Sequence, residues 1–123
     1  MPLASNAAAN AALNGLDGTG STNRIGFVSL HTASPSTTGA NENANSGSYA
    51  RQACTWNAAA SGAKTNSSAL TFATLGTVAV THVGSWDSGT YGAGNYGIGA
   101  PLGSSVTAAS ITVAAGAISF TAS

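Results

Sequence analysis

The sequence has very little charge. Only three of its 123 residues are acidic and three are basic, so charged residues make up 5% of the chain, against about 25% in an ordinary domain. Three scattered basic residues cannot neutralise a run of phosphates, which argues against nucleic-acid binding and against attachment to an anionic membrane. A domain with no net charge is prone to associate. We therefore expect copies of the chain or a larger assembly to cover much of its surface.

Cysteine and long apolar runs are also scarce. Cys54 is the only cysteine, which excludes a disulfide within the chain and predicts a small buried hydrophobe, not an activated thiol. No apolar run approaches the roughly 20 residues that span a bilayer. Residues 1–16 lack the basic start and continuous apolar centre of a secretory signal, so we expect no export address. The length fits one domain that buries a core without metal or disulfide.

The chain begins with a helical pattern. Residues 5–14, SNAAANAALN, predict a short helix with Ser5 as its N-cap and the Asn14-Gly15 pair as its stop. Such a short helix is marginal alone and has to dock. We therefore predict a helix and linker arm over residues 1–24 and a β domain over residues 25–123. The thin apolar stripe of the helix comprises Ala9, Ala12, Leu13 and Leu16.

The rest of the chain has the pattern of short β-strands. Residues 25–31 and 48–56 alternate along their length, and glycine-rich turns separate several further runs. About seven strands and one short N-terminal helix predict an all-β fold, an antiparallel β-sandwich of jelly-roll type. The further predicted strands are residues 69–73, residues 77–86, a strand around Tyr96 and Ile98, and residues 105–113 and 117–122, the last two joined as a hairpin by Ala-Ala-Gly.

A loose polar segment lies between the strands predicted at 25–31 and 48–56. Its residues are small and polar, so it offers little apolar surface to bury. We interpret residues 36–46 as a docking arm for another protein. His31, Glu42 and Arg51 are then polar residues that anchor the base of the arm. Arg51 pairs either with Glu42 or with an acidic residue on a neighbouring chain.

The sequence offers few groups for catalysis or metal binding. A two-histidine, one-carboxylate site needs His31 and His82 together with Glu42 or Asp87, and no local ligand spacing brings them together. We interpret both histidines as structural. A catalytic triad needs a histidine held by a carboxylate, and a glycosidase needs two facing carboxylates. With three carboxylates in the chain, no spacing indicates either arrangement. The glycine-rich segments lead into no helix and carry no P-loop lysine. We predict no catalytic residue, no cofactor and no metal ligand.

Aromatic residues provide the remaining candidates. Trp56 and Trp86 end predicted strands and are expected to cap the core, with an exposed binding role as the alternative. Tyr91 and Tyr96 lie in the glycine-rich segment and are the better candidates for contact with another chain. The predicted interface residues are Pro35, Glu42, Arg51, Tyr91 and Tyr96.

Several motifs occur in an order that resembles a known family. The segments SLHTASP, TTGANE, GSYARQA and VTHVGSWD follow the N-terminal helix and precede the terminal strands. In this order the chain is similar to small structural proteins of tailed bacteriophages, which are labelled tail-fibre or minor tail proteins. Similar small β-proteins serve as capsid decoration, or cement, proteins. The chain departs from the pattern at Asn43 and Ser85, which stand where apolar residues are usual.

The resemblance implies a virion protein without enzymatic activity, made in the cytoplasm of the bacterial host. Our first hypothesis is a capsid decoration protein, a homo-oligomer with a trimer favoured, that binds the outer surface of the head. Binding the assembled lattice but not free subunits would stabilise the contacts between major capsid subunits by mass action. The alternative is a tail-tip or tail-fibre component that contacts the host surface. The expected partners are the major capsid protein or other virion proteins.

Overall fold

The protein is mostly β-structure with one short helix. The structure is a computed structural model that describes residues 6–16, 23–43, 49–74 and 76–121. The all-β prediction is confirmed, and the sandwich and jelly-roll arrangement stays a prediction. The elements of the described residues are α1 (Asn6–Leu16), β1 (Phe27–His31), β2 (Gln52–Ala53), β3 (Ala63–Thr65), β4 (Leu70–Ala73), β5 (Val80–Trp86), β6 (Tyr96–Val106), β7 (Ser110–Val113) and β8 (Ser119–Thr121).

The strands form three antiparallel groups. The largest is a four-stranded sheet in the order β2-β1-β5-β6, and the others are the pairs β3-β8 and β4-β7. In the centre of the large sheet, β1 and β5 pair without interruption from Phe27 opposite Trp86 to His31 opposite His82. This uninterrupted register places the ends of both strands side by side. The polar residues described below lie at these ends.

Strand β6 pairs with β5 less regularly. Val80 pairs with Val106 and His82 pairs with Pro101, so residues 102–105 of β6 lie opposite Thr81 alone. Such a large bulge separates a strand from its neighbour and leaves backbone groups outside the ladder. The C-terminal half of β6 is therefore held less tightly by β5 than its first half.

The core cluster draws side chains from the large sheet, from both strand pairs and from α1. Phe72 and Phe120 are among its largest fully buried side chains, and Trp56 packs on Phe120 with ring centroids 4.8 Å apart. Leu13 of α1 belongs to the same cluster and is 1% exposed. The helix thus docks through Ala9 and Leu13 of its apolar stripe, whereas Ala12 is exposed. The predicted boundary at residue 24 between helix arm and β domain stays a prediction.

Polar side chains complete the docking of α1. Asn10 Oδ1 accepts a hydrogen bond from the Gly62 amide at 2.9 Å. Asn14 Oδ1 accepts from Lys64 Nζ at 2.8 Å and from the Ala59 amide at 3.0 Å. The helix continues past the predicted stop and ends at Leu16. The predicted N-cap Ser5 lies outside the described residues.

One predicted strand is much shorter than expected and one predicted hairpin is wrong. Of the described residues 49–56, Gln52–Ala53 form a strand. The side chains of Tyr49 and Arg51 bind Glu42 instead, and pairing with β1 starts only after them. The terminal hairpin is also wrong, because β7 pairs with β4 while β8 pairs with β3. The short strand Ala63–Thr65 was not predicted. Its central residue, Lys64, is buried.

The turn between β7 and β8 nevertheless exists. The Ala117 amide donates to the Ala114 carbonyl at 3.1 Å, and Gly116 adopts a φ of 79° that favours glycine. Asn66, which is fully buried, holds this turn from inside: its Nδ2 donates to the Ala114 carbonyl at 3.0 Å and its Oδ1 accepts from the Ile118 amide at 2.9 Å. The turn therefore joins two strand pairs across the core.

The two departures from the phage pattern are accommodated. Ser85 is fully buried, and its hydroxyl donates to the Ile98 carbonyl at 2.8 Å and accepts from the Ile98 amide at 2.9 Å. Asn43 is 7% exposed, and its backbone N–H donates to the Leu30 carbonyl at 2.7 Å. Ser85 thus lies within β5, and Asn43 lies beside β1, to which its backbone is bonded. In the described part of the chain no helix is long and apolar enough to cross a membrane.

Candidate functional site

A buried ion pair lies where the segment 32–43 meets the large sheet. The Arg51 side chain is 0% exposed and that of Glu42 is 8% exposed. Arg51 Nη2 donates to Glu42 Oε1 at 2.8 Å and Nε donates to Oε2 at 3.0 Å. Two parallel bonds of this kind fix the geometry of both side chains. Of the two pairings that the sequence left open for Arg51, the structure has the one with Glu42.

Arg51 also reaches the loop that follows β5. Its Nη1 donates to the Ser88 carbonyl at 3.0 Å and to the Ala93 carbonyl at 2.9 Å. Its guanidinium carbon lies 3.8 Å from the centroid of the Trp86 ring, a cation–π contact. The residue therefore ties two loops to the end of the sheet. We call the cluster of Tyr49, Glu42, Arg51 and Trp86 the polar pin.

Tyr49 links the polar pin to β1. Its hydroxyl donates to Glu42 Oε2 at 2.9 Å and accepts from the Leu30 amide at 3.0 Å. Burial raises the pKa of Tyr49, and the neighbouring Glu42 carboxylate raises it further. The hydroxyl therefore keeps the proton that it donates to Glu42.

His31 holds the other side of the segment 32–43. Its Nδ1 lies 2.7 Å from the Ala40 carbonyl oxygen, which can only accept, so Nδ1 carries the proton. Its Nε2 lies 2.7 Å from Ser29 Oγ. Because the Trp86 indole donates to that oxygen at 2.8 Å, the serine proton is available to Nε2. Burial lowers the pKa of His31, in agreement with this neutral form.

The stability of the fold is expected to fall as pH drops below the usual pKa of histidine. His31 has a lowered pKa in the folded chain, so below about pH 6.5 the unfolded chain binds the proton first. Stability from this group is therefore full above that pH and is lost as pH falls toward the folded pKa. Urea unfolding between pH 7.5 and pH 5 measures the decline.

Two variants test the assignment to His31. His31→Gln should flatten the decline between pH 7.5 and pH 5, because the variant no longer takes up that proton on unfolding. His82→Gln is the matched control and should keep the decline, since His31 remains. An unchanged slope in His31→Gln would contradict the neutral, buried assignment.

The segment 32–43 is anchored to the sheet at a few buried positions, while most of its residues are exposed. Pro35 and Gly39 are buried. Gly39 has a φ of 77°, and a Cβ there would lie 2.5 Å from the Trp86 ring. The Gly39 and Ala40 amides both donate to the Pro35 carbonyl. Residues 44–46 of the predicted arm lie outside the described residues, and a docking role for the segment stays a prediction.

Most of the predicted interface residues lie inside the fold. Pro35 is buried, and Glu42 and Arg51 form the polar pin. Tyr96 is half-buried, packs edge-on against Trp86 at 5.4 Å, and has its pKa raised to about 12 by burial. Tyr91 is 38% exposed and rests edge-on against Tyr49 with ring centroids 6.3 Å apart. Tyr91 is thus the member of the set that a partner can reach directly. The interface role of all five stays a prediction.

A second ion pair joins the segment after α1 to the loop after β5. Arg24 Nη1 donates to Asp87 Oδ2. Asp87 also accepts hydrogen bonds from the Asn95 amide at 2.6 Å and from Asn95 Nδ2 at 2.9 Å. The bonds from Asn95 lower the pKa of Asp87 most, and Arg24 lowers it further. The Arg24 side chain is 38% exposed and that of Asp87 is 8% exposed, so the arginine side of this pair is open to water, unlike Arg51.

The residues considered for a metal site are brought together only in part. His31 and His82 are register partners, but both ring nitrogens of His31 already bind protein atoms. Glu42 is held by Arg51 and Tyr49. Across residues 6–16, 23–43, 49–74 and 76–121, no group of three or more metal-ligating side chains could hold an ion.

Sequence reasoning named the pair of Arg51 with Glu42 as one of two pairings and missed the groups around it. It gave Ser29 and Tyr49 no hydrogen-bonding role, yet each accepts and donates hydrogen bonds at the polar pin or beside His31. Buried Asn66 was not identified, because it lies in a run of polar residues that is typical of a turn. The scarcity of charge was the one usable signal. With three acids available, the partners of a buried arginine are few.

Comparison with known proteins gives one family match. The family model described as podophage GP4 fiber I protein gp80 matches residues 3–121. No curated protein matches the chain. The match covers the helix, all eight described strands and the polar pin.

Proposed function

This chain belongs to the podophage GP4 fiber I protein gp80 family, a family of phage virion structural proteins, and we propose that it is a non-enzymatic subunit of a virion fibre. The observation that carries the proposal is the match over residues 3–121. The geometry agrees with it, because Arg51, Glu42 and His31 are all engaged in holding loops in place. Groups bound in this way stabilise a surface and are not poised to react with a substrate.

Capsid decoration, predicted from the sequence, is the second candidate function. The low charge of the chain favours a surface covered by other proteins, and both roles provide such cover. Copy number distinguishes the two. A decoration protein is present in numbers comparable with the major capsid protein, whereas a fibre subunit is present in few copies. For either role we propose that the chain forms a homo-oligomer, with a trimer favoured.

Quantitative mass spectrometry and imaging of intact virions test the proposal. The virions would carry the chain with a small tag at its C-terminus. The expected result is a low copy number and label on fibres. Label spread evenly over the head, at a copy number near that of the major capsid protein, would overturn the fibre role in favour of decoration. Absence of the chain from purified virions would overturn both.

Tyr91 is expected to contact another virion protein. It lies in the loop that Arg51 holds through the Ser88 and Ala93 carbonyls, so an exposed ring is presented on a fixed backbone. Truncating an aromatic anchor of an interface commonly weakens binding at least about tenfold. Tyr91→Ala should therefore lower incorporation into virions at least about tenfold, measured by competition against tagged wild-type chain during infection.

Two controls accompany the Tyr91 variant. Tyr91→Phe keeps the ring and its edge contact with Tyr49, so it should be incorporated almost as well as wild type. Thr90→Ala removes an exposed neighbour and should have no effect. Normal incorporation of folded Tyr91→Ala would contradict the contact.

A further inference from the structure

A small pocket lies between the segment 32–43 and the strands β5 and β6. Its volume is about 180 Å³, below the roughly 300–1,000 Å³ of a pocket for a drug-sized ligand. The pocket therefore has room for one ring and not for an extended chain. Its main lining residues are Ser34, Pro35, Ser36, His82, Tyr96 and Pro101.

The backbone holds the walls of this pocket in place. The Pro35 carbonyl accepts hydrogen bonds from two amides of its own segment, and Pro101 is the register partner of His82 across β5 and β6. A Cβ at Gly99 would lie 2.5 Å from Pro35 Cγ, so a glycine at this position lets the segment approach β6. A pocket with fixed walls binds its ligand with little loss of conformational freedom.

The Tyr96 hydroxyl lacks a hydrogen bond at this pocket. Within the described part of the chain, it is the buried side-chain polar group that has no hydrogen-bond partner. The hydroxyl lies beside Gly99 and Pro35, because a Cβ at Gly99 would collide with both. Burial raises the pKa of Tyr96 to about 12, so the hydroxyl has a proton to donate. A buried donor without an acceptor is unfavourable, and a ligand oxygen that accepts this proton removes the penalty.

The other polar groups of the pocket can both donate and accept. His82 Nδ1 lies 2.7 Å from the Thr81 hydroxyl, which leaves Nε2 for a ligand. Ser34 and Ser36 add two hydroxyls. Among the described lining residues there is no Asp, Glu, Lys or Arg. A charged ligand would therefore lose its hydration without gaining an opposite charge, so the ligand should be neutral.

Apolar rings lie among these polar groups. Pro35 and Pro101 contribute pyrrolidine rings, and Tyr96 contributes its phenol ring. A sugar ring has the matching composition, since its C–H groups pack on apolar rings and its hydroxyls both donate and accept hydrogen bonds. A purely apolar ring would leave the polar groups of the pocket unpaired.

We propose that the pocket between the segment 32–43 and the strands β5 and β6 binds one neutral sugar ring of a polysaccharide, to which the Tyr96 hydroxyl donates a hydrogen bond. The proposal rests on the proposed fibre role and deepens it, because it names a ligand class for the subunit. Its test uses the purified chain and needs no virion, so a failure here leaves the virion assignment standing.

Nuclear magnetic resonance titration of the isotope-labelled chain tests the proposal. The sugars are glucose, galactose, mannose and N-acetylglucosamine, each beside a charged counterpart, the uronic acid or glucosamine. At least one neutral sugar should shift the amides of Ser36, His82 and Gly99 until they saturate. Its charged counterpart should bind at least about tenfold more weakly. The matching polymer, which is dextran, galactan, mannan or a chitin oligosaccharide, should bind at least as tightly as the free sugar.

The variant Tyr96→Phe separates binding from folding. It deletes the hydroxyl and keeps the ring that packs on Trp86, so urea unfolding should find it as stable as wild type, since the hydroxyl has no partner in the described chain. Its affinity for the sugar should nevertheless fall at least about tenfold. His82→Ala is a second variant that should weaken binding. Tyr91→Phe deletes a hydroxyl outside the pocket and should bind like wild type.

Four results would count against the proposal. It is overturned if no neutral sugar of the panel shifts the amides around the pocket, or if a charged counterpart binds as tightly as the neutral sugar. Folded Tyr96→Phe that binds the sugar as well as wild type overturns it too. A sugar that binds when free but not as part of its polymer would exclude a polysaccharide as the ligand.

Discussion

Replacing Arg51 with methionine is expected to destabilise the fold by about 3–5 kcal/mol, as measured by urea unfolding. The variant leaves the Glu42 carboxylate, 8% exposed, without its arginine. It also removes the donor to the Ser88 and Ala93 carbonyls. The loss of stability arises mainly from the Glu42 carboxylate, because a buried charge that has lost its ion-pair partner is far less stable than the same charge in water. Arg51→Lys should also destabilise the fold, since lysine cannot form the two parallel bonds.

The other ion pair supplies a matched control for Arg51. The Asp87 side chain is 8% exposed, the same as that of Glu42. After Arg24→Met, however, Asp87 keeps its two hydrogen bonds from Asn95. Arg24→Met should therefore destabilise the fold clearly less than Arg51→Met, which also removes the donor to two backbone carbonyls. The double variant Arg51→Met, Glu42→Gln should lose less stability than the sum of the two single variants, because it leaves no unpaired buried carboxylate. Equal effects of the two arginine variants would contradict the central role of the polar pin.

Replacing Asn66 with alanine is expected to destabilise the fold by at least about 3 kcal/mol. Asn66 is fully buried, and its side chain binds the Ser68 and Ala114 carbonyls and the Ile118 amide. Alanine leaves these backbone groups without their partner. The turn that connects β7 to β8 should loosen first, so the Ile118 amide should exchange its hydrogen faster in the variant. Urea unfolding and hydrogen exchange measure the two effects.

Two further asparagine variants sharpen this test. Asn57→Ala removes an exposed side chain that donates one bond to Thr65 Oγ1 and should cost about 1 kcal/mol or less. Asn66→Asp keeps an acceptor for the Ile118 amide but turns an oxygen toward two carbonyls. It should therefore be strongly destabilising at neutral pH. Were Asn66→Ala no worse than Asn57→Ala, the turn would be held by something other than Asn66.

Local patterns predicted the elements whose structure is decided locally. The alternation of residues 25–31 and the run of residues 77–86 predicted strands that β1 and β5 confirm. The Ala-Ala-Gly turn was also identified, but its two strands pair elsewhere. Pairing depends on contacts far apart in the chain, here through Asn66, and no turn residue encodes them. A hairpin is therefore the natural but wrong prediction for this segment.

The candidate site was predictable where few alternatives existed. Arg51 has three acidic residues to choose from in the whole sequence, and the pair with Glu42 was one of two pairings considered. The degree of burial was not predictable, because it comes from Trp86 and the loop at residues 88–95 closing over the pair. Tyr96 illustrates the same limit. Its glycine-rich surroundings indicated exposure, whereas its register position opposite Trp86 makes it half-buried.

The absence of Asp, Glu, Lys, Arg and His after Asp87 has a consequence for the conditions that the protein can withstand. Dissolved ions screen charges and have little to act on in β6, β7 and β8. Screening of charges should therefore change the packing of these strands little. Sulfate should strengthen it by a separate effect, because it favours the burial of apolar surface. A virion that passes between solutions of different ionic strength would then keep the packing of these strands unchanged by the screening of charges.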